Sequence, residues 1–390
     1  MQIFDEAKNG FGSKISVLMV DDQAIFGEVL KRMIAETGYL FTFCQNPLEA
    51  VAVAEKVKPT VILQDLSMPE MDGLDLVKEF RKNPTTAEVP MIVLSATDNA
   101  EIKYKAFANG ANDYMVKLPD KLEMLARIEY HSKAYINYCE KNRAMQLLQE
   151  SQNALKKELY QAQSYVESLL PEKCSYNSLS CDWEFQSSTM LGGDCFGYGF
   201  IDAENYAVYL LDVCGHGVGA ALLSVSAINV LRSRTLASVD FKEPAEVLNA
   251  MGKAFDMEKQ NGMFFTLWYG VYNTKTRILK YSSGGHPPAI LKDKNGLHFL
   301  GTKGLVVGSN MGIDYVQEQT TILPESDLFV FSDGVYEVEK QADKSMMTIE
   351  DFAEIIKQTS SLKDIKNAVQ AVQGRDNFDD DFSLFKVSIK

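Results

Sequence analysis

The chain has 390 residues, 46% hydrophobic and 24% charged, an ordinary globular mix whose length points to two or three domains. Its formal net charge of −14 argues against a nucleic-acid partner, since phosphate backbones demand a concentrated positive field, and makes divalent cations natural ligands where carboxylates converge. No apolar run approaches the ~18–20 residues of a membrane helix. The N-terminal MQIFDEAKNG lacks the basic and apolar regions of a secretory signal. Six cysteines (Cys44, Cys139, Cys174, Cys181, Cys195, Cys214) form no CxxC pair and read as reduced thiols. The expectation is a cytoplasmic chain with no nucleic-acid and no membrane partner.

From Ile15 to about Lys121, short apolar runs (ISVLMV, LFTFC, TVILQD, MIVLSA, DYMVK) alternate with helix-like segments such as Gln23–Thr37 and Pro47–Lys56. That alternation predicts an α/β doubly wound, parallel sheet with its functional groups at the carboxyl ends of the strands. Asp21 and Asp22, Asp65, Ser95 and Lys117 then share one edge. Three carboxylates in one crevice repel one another unless a divalent cation is bound. A hydroxyl and an ammonium beside them suit the oxygens of a phosphoryl group carried on a carboxylate.

VDDQ, QDLSMPEMDG, LSAT and DYMVKLP, in that order, resemble the receiver domain of bacterial response regulators, which is flavodoxin-like in fold. The resemblance implies that Asp65 accepts a phosphoryl group from a sensor histidine kinase. It also implies Mg²⁺ held by Asp21, Asp22, Asp65 and the carbonyl of Ser67, with Ser95 and Lys117 following the phosphoryl group and Tyr114 as the aromatic switch. Leu118 stands between Lys117 and Pro119, where many receivers place Lys directly before Pro.

No glycine or proline interrupts residues 122–170, so one extended helix is predicted there. Leu148, Gln152, Leu155, Leu159, Ala162, Val166 and Leu169 recur in steps of four and three, the seam of a coiled coil, with Gln152 as a polar register-setter. A parallel homodimer through this linker is expected; a helix packed on one of its own domains is the alternative.

Past Pro171 the texture changes to strands, glycine turns and aromatics: WEFQSS, YAVYLLDV, FFTLWYGVYN, ILKYSSGG and DLFVFSDG. Helical stretches Val218–Leu236, Pro244–Lys259, Thr348–Gln358 and Lys363–Gln373 stand apart from them, favouring an α+β layered fold. Carboxylates recur at the ends of apolar strands: Asp194, Asp212, Asp333, Asp380 and Asp381. Hard oxygen ligands in this number suit Mg²⁺ or Mn²⁺, and two such ions promote in-line phosphoryl displacement. Asp256, Glu258, Lys292 and Lys294 read as solvated charges.

SLLPEK, LGGDCFGYG, LLDVCGHGVGAAL, FFTLWYGVYN, YSSGGHPPAI, LFVFSDGVYE and DDDFSLFKV resemble the metal-dependent type 2C (PPM) protein phosphatases of the SpoIIE/RsbU branch. This implies an αββα sandwich with two Mn²⁺ or Mg²⁺ ions between its sheets. By position Asp212 bridges both ions, aided by the carbonyl of Val213, Asp333 and Asp380 bind the second, and Asp194 orients water. Asp381 ranks lower. His216 and His286 are each candidates to protonate a leaving serine oxygen, or to stabilise a turn. No dedicated phosphate-binding arginine is evident beside Asp194.

The expected organisation is a receiver at 12–121, a helical coiled-coil linker at 122–170 and a phosphatase domain at 171–390. The expected function is a response regulator in which phospho-Asp65 controls a serine/threonine phosphatase. The resemblance implies a phosphorylated STAS-type anti-sigma-factor antagonist as substrate. The competing reading is an RssB-like adaptor that binds a sigma or anti-sigma factor without catalysis.

Overall fold

The computed structural model describes residues 14–176, 178–188, 191–309 and 311–390, so the expected domain start at residue 12 lies outside the described residues. The chain forms two compact units that divide between Asn153 and Ala154.

In the first unit, β1 (Ser16–Val20), α1 (Ala24–Ile34), β2 (Leu40–Cys44), α2 (Ala50–Val57), β3 (Val61–Asp65), α3 (Gly73–Lys82), β4 (Met91–Ser95), α4 (Ala100–Ala108) and β5 (Asp113–Val116) alternate as expected. The strands pair in parallel in the order β2-β1-β3-β4-β5. Strands β1, β3 and β4 are buried along their whole length, which is why they read as unbroken apolar runs. The sheet has a core on each face, one around Leu18, Ile62 and Phe80 and the other around Met19, Leu63 and Ile128.

Helix α5 (Lys121–Ser168) runs 48 residues without a break. Its first part buries Met124, Ile128, Ser132 and Ile136, spaced i,i+4, against the parallel sheet. Asp113, at the start of β5, accepts two bonds from the Arg127 guanidinium at 2.8 and 2.7 Å, and lies 3.0 Å from His131 Nε2. From Lys141 to Glu158 every residue is exposed, including Leu148 and Leu155.

The second unit contains β6 (Cys174–Ser175), β7 (Leu179–Gln186), β8 (Cys195–Phe200), β9 (Asn205–Val213), α6 (Val218–Ser233), α7 (Pro244–Ala254), β10 (Phe265–Asn273), β11 (Ile278–Gly284), β12 (Ala289–Asp293), β13 (Gly296–Leu300), β14 (Glu318–Thr321), β15 (Ser326–Phe331), α8 (Ile349–Gln358), α9 (Leu362–Gln373) and β16 (Phe382–Ile389). Two antiparallel sheets result, β14-β11-β10-β9-β8 and β13-β12-β15-β16-β7-β6. Their inner faces meet over Tyr206, Val208, Leu210 and Trp268 from one sheet and Leu328, Val330, Phe385 and Val387 from the other. Phe196 stacks on Phe385 across the gap at 5.5 Å. Burying each such side chain contributes about 1.5–3 kcal/mol, and Trp268, fully buried, also satisfies its indole N–H on the Leu300 carbonyl at 2.8 Å. Helices α6 and α7 cover the outer face of one sheet and α8 and α9 that of the other, giving an αββα sandwich.

Two expectations change in detail. The helix expected over Pro244–Lys259 stops at Ala254, and Asp256 caps a 3₁₀ turn at Met257–Lys259 by accepting from Glu258 N. Lys292 is not a solvated loop charge: it lies on β12 and donates to the carbonyls of Ile356 and Lys357 at the C-terminus of α8, where a cation complements the helix dipole. No helix among the described residues is long and apolar enough to cross a membrane.

Candidate functional site

The first unit gathers Asp21, Asp22 and Asp65 within 4.8 Å of one another at the carboxyl edge of the sheet. Asp21 and Asp65 are fully buried, and Asp22 Oδ1 and Asp65 Oδ1 have no hydrogen-bond partner. Buried carboxylate oxygens without partners are costly, and a hard cation satisfies them, so this donor set fits Mg²⁺. Burial pushes the Asp21 carboxyl up from its ordinary range, against the Gln23 amide and Lys117. Lys117 Nζ lies 2.9 Å from Asp21 and 2.8 Å from Asp65, and 4.2 Å from the Phe26 ring centroid. Burial works to lower its pKa, but the two carboxylates together hold it above the usual value.

Ser95 is buried at the end of β4 and its hydroxyl accepts from Thr97 N at 3.3 Å. Tyr114 points inward, its hydroxyl donating to the Thr97 carbonyl at 2.5 Å. Thr97 of the β4–α4 loop thus bonds both Ser95 and Tyr114, two of the three residues expected to form the switch. Ser67 is exposed and pairs with Asp72 in an isolated bridge just after Asp65. Leu118 takes a left-handed φ of 58°, which is how the loop accommodates a residue before Pro119.

In the second unit a cavity of about 280 Å³ opens at one edge of the sandwich, lined by Asp212, Asp333, Asp379, Asp380, His216 and Thr266 among others. The antiparallel sheets explain the convergence. Asp212 ends β9 and Asp333 follows β15, whereas Asp194 precedes β8 and Asp380 and Asp381 precede β16. The expectation of five carboxylates at strand ends is therefore corrected: three sit at strand starts. In an antiparallel sheet, the start of one strand borders the end of the next.

Among the described residues no lysine or arginine lines this cavity. The Asp212 carboxyl is pushed up to about 8 by burial, then by the charges of Asp333 and Asp380. Asp333 is pushed up to about 6 by burial, then by Asp380 and Glu337. Asp194, 2% exposed, lies well above the carboxylate range, through burial and then the Asp212 and Asp381 charges, and its Oδ2 has no partner. Carboxylates this crowded hold protons unless cations replace them, so the set fits divalent metal ions.

The loop after β9 depends on glycine. Gly215 and Gly217 have φ of +84° and +91°, and His216 is held exposed between them at the cavity. The Val213 carbonyl would lie 2.6 Å from a Cβ at position 193, so only glycine lets the two backbones approach.

Asp381 has a different place from the other carboxylates. Its Oδ1 accepts from Ser187 Oγ, Ser188 N and Ser188 Oγ at 3.0, 2.9 and 3.2 Å, and its Oδ2 from Gly193 N at 2.7 Å. A carboxylate with this many donors has few lone pairs left for chemistry. It clamps the loop that carries Asp194, a role its sequence neighbourhood does not reveal.

His286 is 7% exposed and is not among the cavity's lining residues. Its Nδ1 donates to the Pro287 carbonyl at 2.9 Å, Nε2 has no partner, and burial pushes its pKa down to about 4. It therefore has no proton to give at neutral pH. Its folded pKa lies below its unfolded value, so its contribution to stability is present above about pH 6.5 and is lost as pH falls through 4. Acid titration of the thermal midpoint should be shallower in His286→Gln than in the wild type over this window; identical slopes would contradict the neutral buried ring.

Residues 202–390 match the family model of Stage II sporulation protein E (SpoIIE), and residues 17–129 match that of the response regulator receiver domain. Phosphoserine phosphatase RsbP of Bacillus subtilis is 26% identical over 182 residues, 46% of this chain and 45% of RsbP; the chain thus spans about half the length of that relative. An uncharacterized 14.6 kDa protein of Leptolyngbya boryana is 31% identical over 123 residues, 32% of this chain and 94% of its own length. The SiaA-PP2C domain of Pseudomonas aeruginosa superposes with a TM-score of 0.53 at 16% identity, over 62% of this chain and 99% of that domain, a likeness of fold. The parallel sheet with its acidic pocket and the αββα sandwich with its carboxylate cavity agree with both matches. The chain thus combines an N-terminal response regulator receiver domain with a C-terminal SpoIIE-type domain of PP2C fold.

Proposed function

We propose that the chain is a two-component response regulator in which a sensor histidine kinase phosphorylates Asp65, and that this controls metal-dependent hydrolysis of phosphoserine or phosphothreonine on a protein partner. The observation that carries the enzymatic half is the cavity in which Asp212, Asp333 and Asp380 crowd together, with Asp212 pushed up to about 8. A binding adaptor has no need to keep such mutually repelling carboxylates. When bound there, two Mn²⁺ or Mg²⁺ ions supply Lewis-acid stabilisation of the charge on the transferring phosphoryl group. Asp212, Asp333, Asp380 and the carbonyl of Val213 are the residues to hold them, with Asp194 orienting water. His216, exposed at the cavity, is placed to pass a proton to the leaving serine oxygen.

The partner we favour is a phosphorylated STAS-type anti-sigma-factor antagonist, a reading supported by the name of RsbP, a phosphoserine phosphatase, and by the SpoIIE match. The working boundaries are receiver 12–121, linker 122–170 and phosphatase 171–390. Release of phosphate from a phosphoserine protein by the purified chain, dependent on Mn²⁺ and abolished by chelation, tests the enzymatic half; no release with any divalent cation would defeat it.

Control requires a path out of the receiver. β5 carries Tyr114, leads directly to Lys117, and is tied at its start to α5 through Asp113, Arg127 and His131. Beyond Ile136 the helix carries Leu148 and Leu155 exposed at 60% and 57%. An apolar seam on an exposed helix is stable in water when a second helix covers it, which supports a parallel homodimer in which Gln152 meets its own copy. Sedimentation should give a dimer for the full chain and a monomer for Leu155→Glu/Leu159→Glu; a monomeric wild type would sink this part.

A further inference from the structure

The cavity collects negative charge, and Asp379 adds to it at the mouth. A phosphomonoester is itself a dianion near neutral pH. Two divalent ions would only balance the four lining carboxylates, Asp212, Asp333, Asp379 and Asp380, so the charge of the incoming dianion is left for a further cation to meet.

Arg375 does not line the cavity itself but is tied to one of these lining carboxylates. Its Nη2 forms an ion pair with Asp379 Oδ2, four residues on, and the two side chains are 46% and 70% exposed. An exposed pair of this kind adds little to stability. The backbone beneath it, in contrast, is firmly built. Gln373 is 6% exposed and its Nε2 donates to the carbonyls of Arg375 and Asn377 at 2.8 and 3.1 Å. Gln370 Nε2 donates to the Asp376 carbonyl at 2.8 Å, and buried Phe378 stacks on Phe382 at 4.6 Å. The loop that carries the carboxylates of the cavity mouth thus carries Arg375 at a fixed position, while leaving the guanidinium free to exchange partners.

We propose that Arg375 binds the phosphoryl group of the phosphoserine substrate, exchanging or sharing Asp379 for the phosphoryl oxygens. The planar guanidinium offers paired donors that match two oxygens of a phosphate. Asp379, which lines the cavity, holds it until the substrate arrives. This rests on the phosphatase reading above.

The test uses the full chain with Mn²⁺ in three forms: wild type, Arg375→Gln and Arg375→Lys. Initial rates on a phosphoserine peptide are read beside calorimetric binding of inorganic phosphate. Arg375→Gln should raise KM about tenfold or more and weaken phosphate binding by a similar factor, with a smaller fall in kcat. Arg375→Lys should recover part of both, and the thermal midpoint should stay put because the pair is exposed. Unchanged KM and phosphate affinity in Arg375→Gln, with an active wild type, would overturn the arginine and leave the phosphatase reading standing. A wild type that binds phosphate through Arg375 but releases none from phosphoserine would overturn the phosphatase reading and uphold the arginine. A wild type that does neither would overturn both.

Discussion

Asp212→Asn should cut Mn²⁺-dependent phosphoserine hydrolysis by more than about 100-fold, since loss of a direct ligand must exceed the 10–100-fold that loss of an outer-shell partner typically costs. The same change should leave the metal-free protein as stable as the wild type or more so. Asp212 is held against Asp333 and Asp380 with no lysine or arginine lining the cavity among the described residues, so its charge destabilises the empty cavity. The two effects have opposite signs, and together they separate a metal site from a structural carboxylate. Thermal unfolding with and without Mn²⁺ reads both: the wild type should gain stability on adding the ion and Asp212→Asn should not. A variant that keeps its activity, or its gain with Mn²⁺, would remove Asp212 from the site.

Asp65→Asn should abolish phosphoryl acceptance. The carboxylate is fully buried, Oδ1 is unpartnered, and Lys117 lies 2.8 Å from Oδ2, so the proposed nucleophile and the cation proposed to steady the phosphoryl group lie side by side. The amide has no anionic oxygen to attack with. Folding should survive, because Lys117 retains Asp21 at 2.9 Å as a partner. Intact-mass measurement after incubation with acetyl phosphate and Mg²⁺ should show the added phosphoryl group on the wild type and none on the variant. Labelling of the variant at the wild-type level would place the acceptor elsewhere.

The receiver pocket was readable because parallel strands put their carboxyl ends on one edge, so Asp21, Asp65, Ser95 and Lys117 could be set side by side from the order of apolar runs alone. The cavity of the second unit was only half readable by that logic. Asp212 and Asp333 do follow apolar strand residues, but Asp194, Asp380 and Asp381 precede their strands, and only the antiparallel pairing of β8 with β9 and of β16 with β15 brings them round. The clamp made by Asp381 was hidden because its partners, Ser187, Ser188 and Gly193, lie nearly 200 residues away. His286 looked like chemistry because glycines and prolines flank it, yet burial, which local sequence does not report, leaves it neutral. Arg375 gave no signal either, since an arginine near aspartates in a polar loop resembles any solvated charge pair.

If the receiver controls the phosphatase as proposed, the state of Asp65 sets the rate at the Asp212 cavity. The direct measurement is the initial rate of Mn²⁺-dependent dephosphorylation of a phosphoserine protein, with and without beryllofluoride, for the wild type and Asp65→Asn. The two wild-type rates should differ by several-fold or more, since coupling between sites typically amounts to ~1–3 kcal/mol. The rates of Asp65→Asn should not respond. Equal wild-type rates in both states would contradict the control of the phosphatase by the receiver, while leaving the hydrolytic site intact.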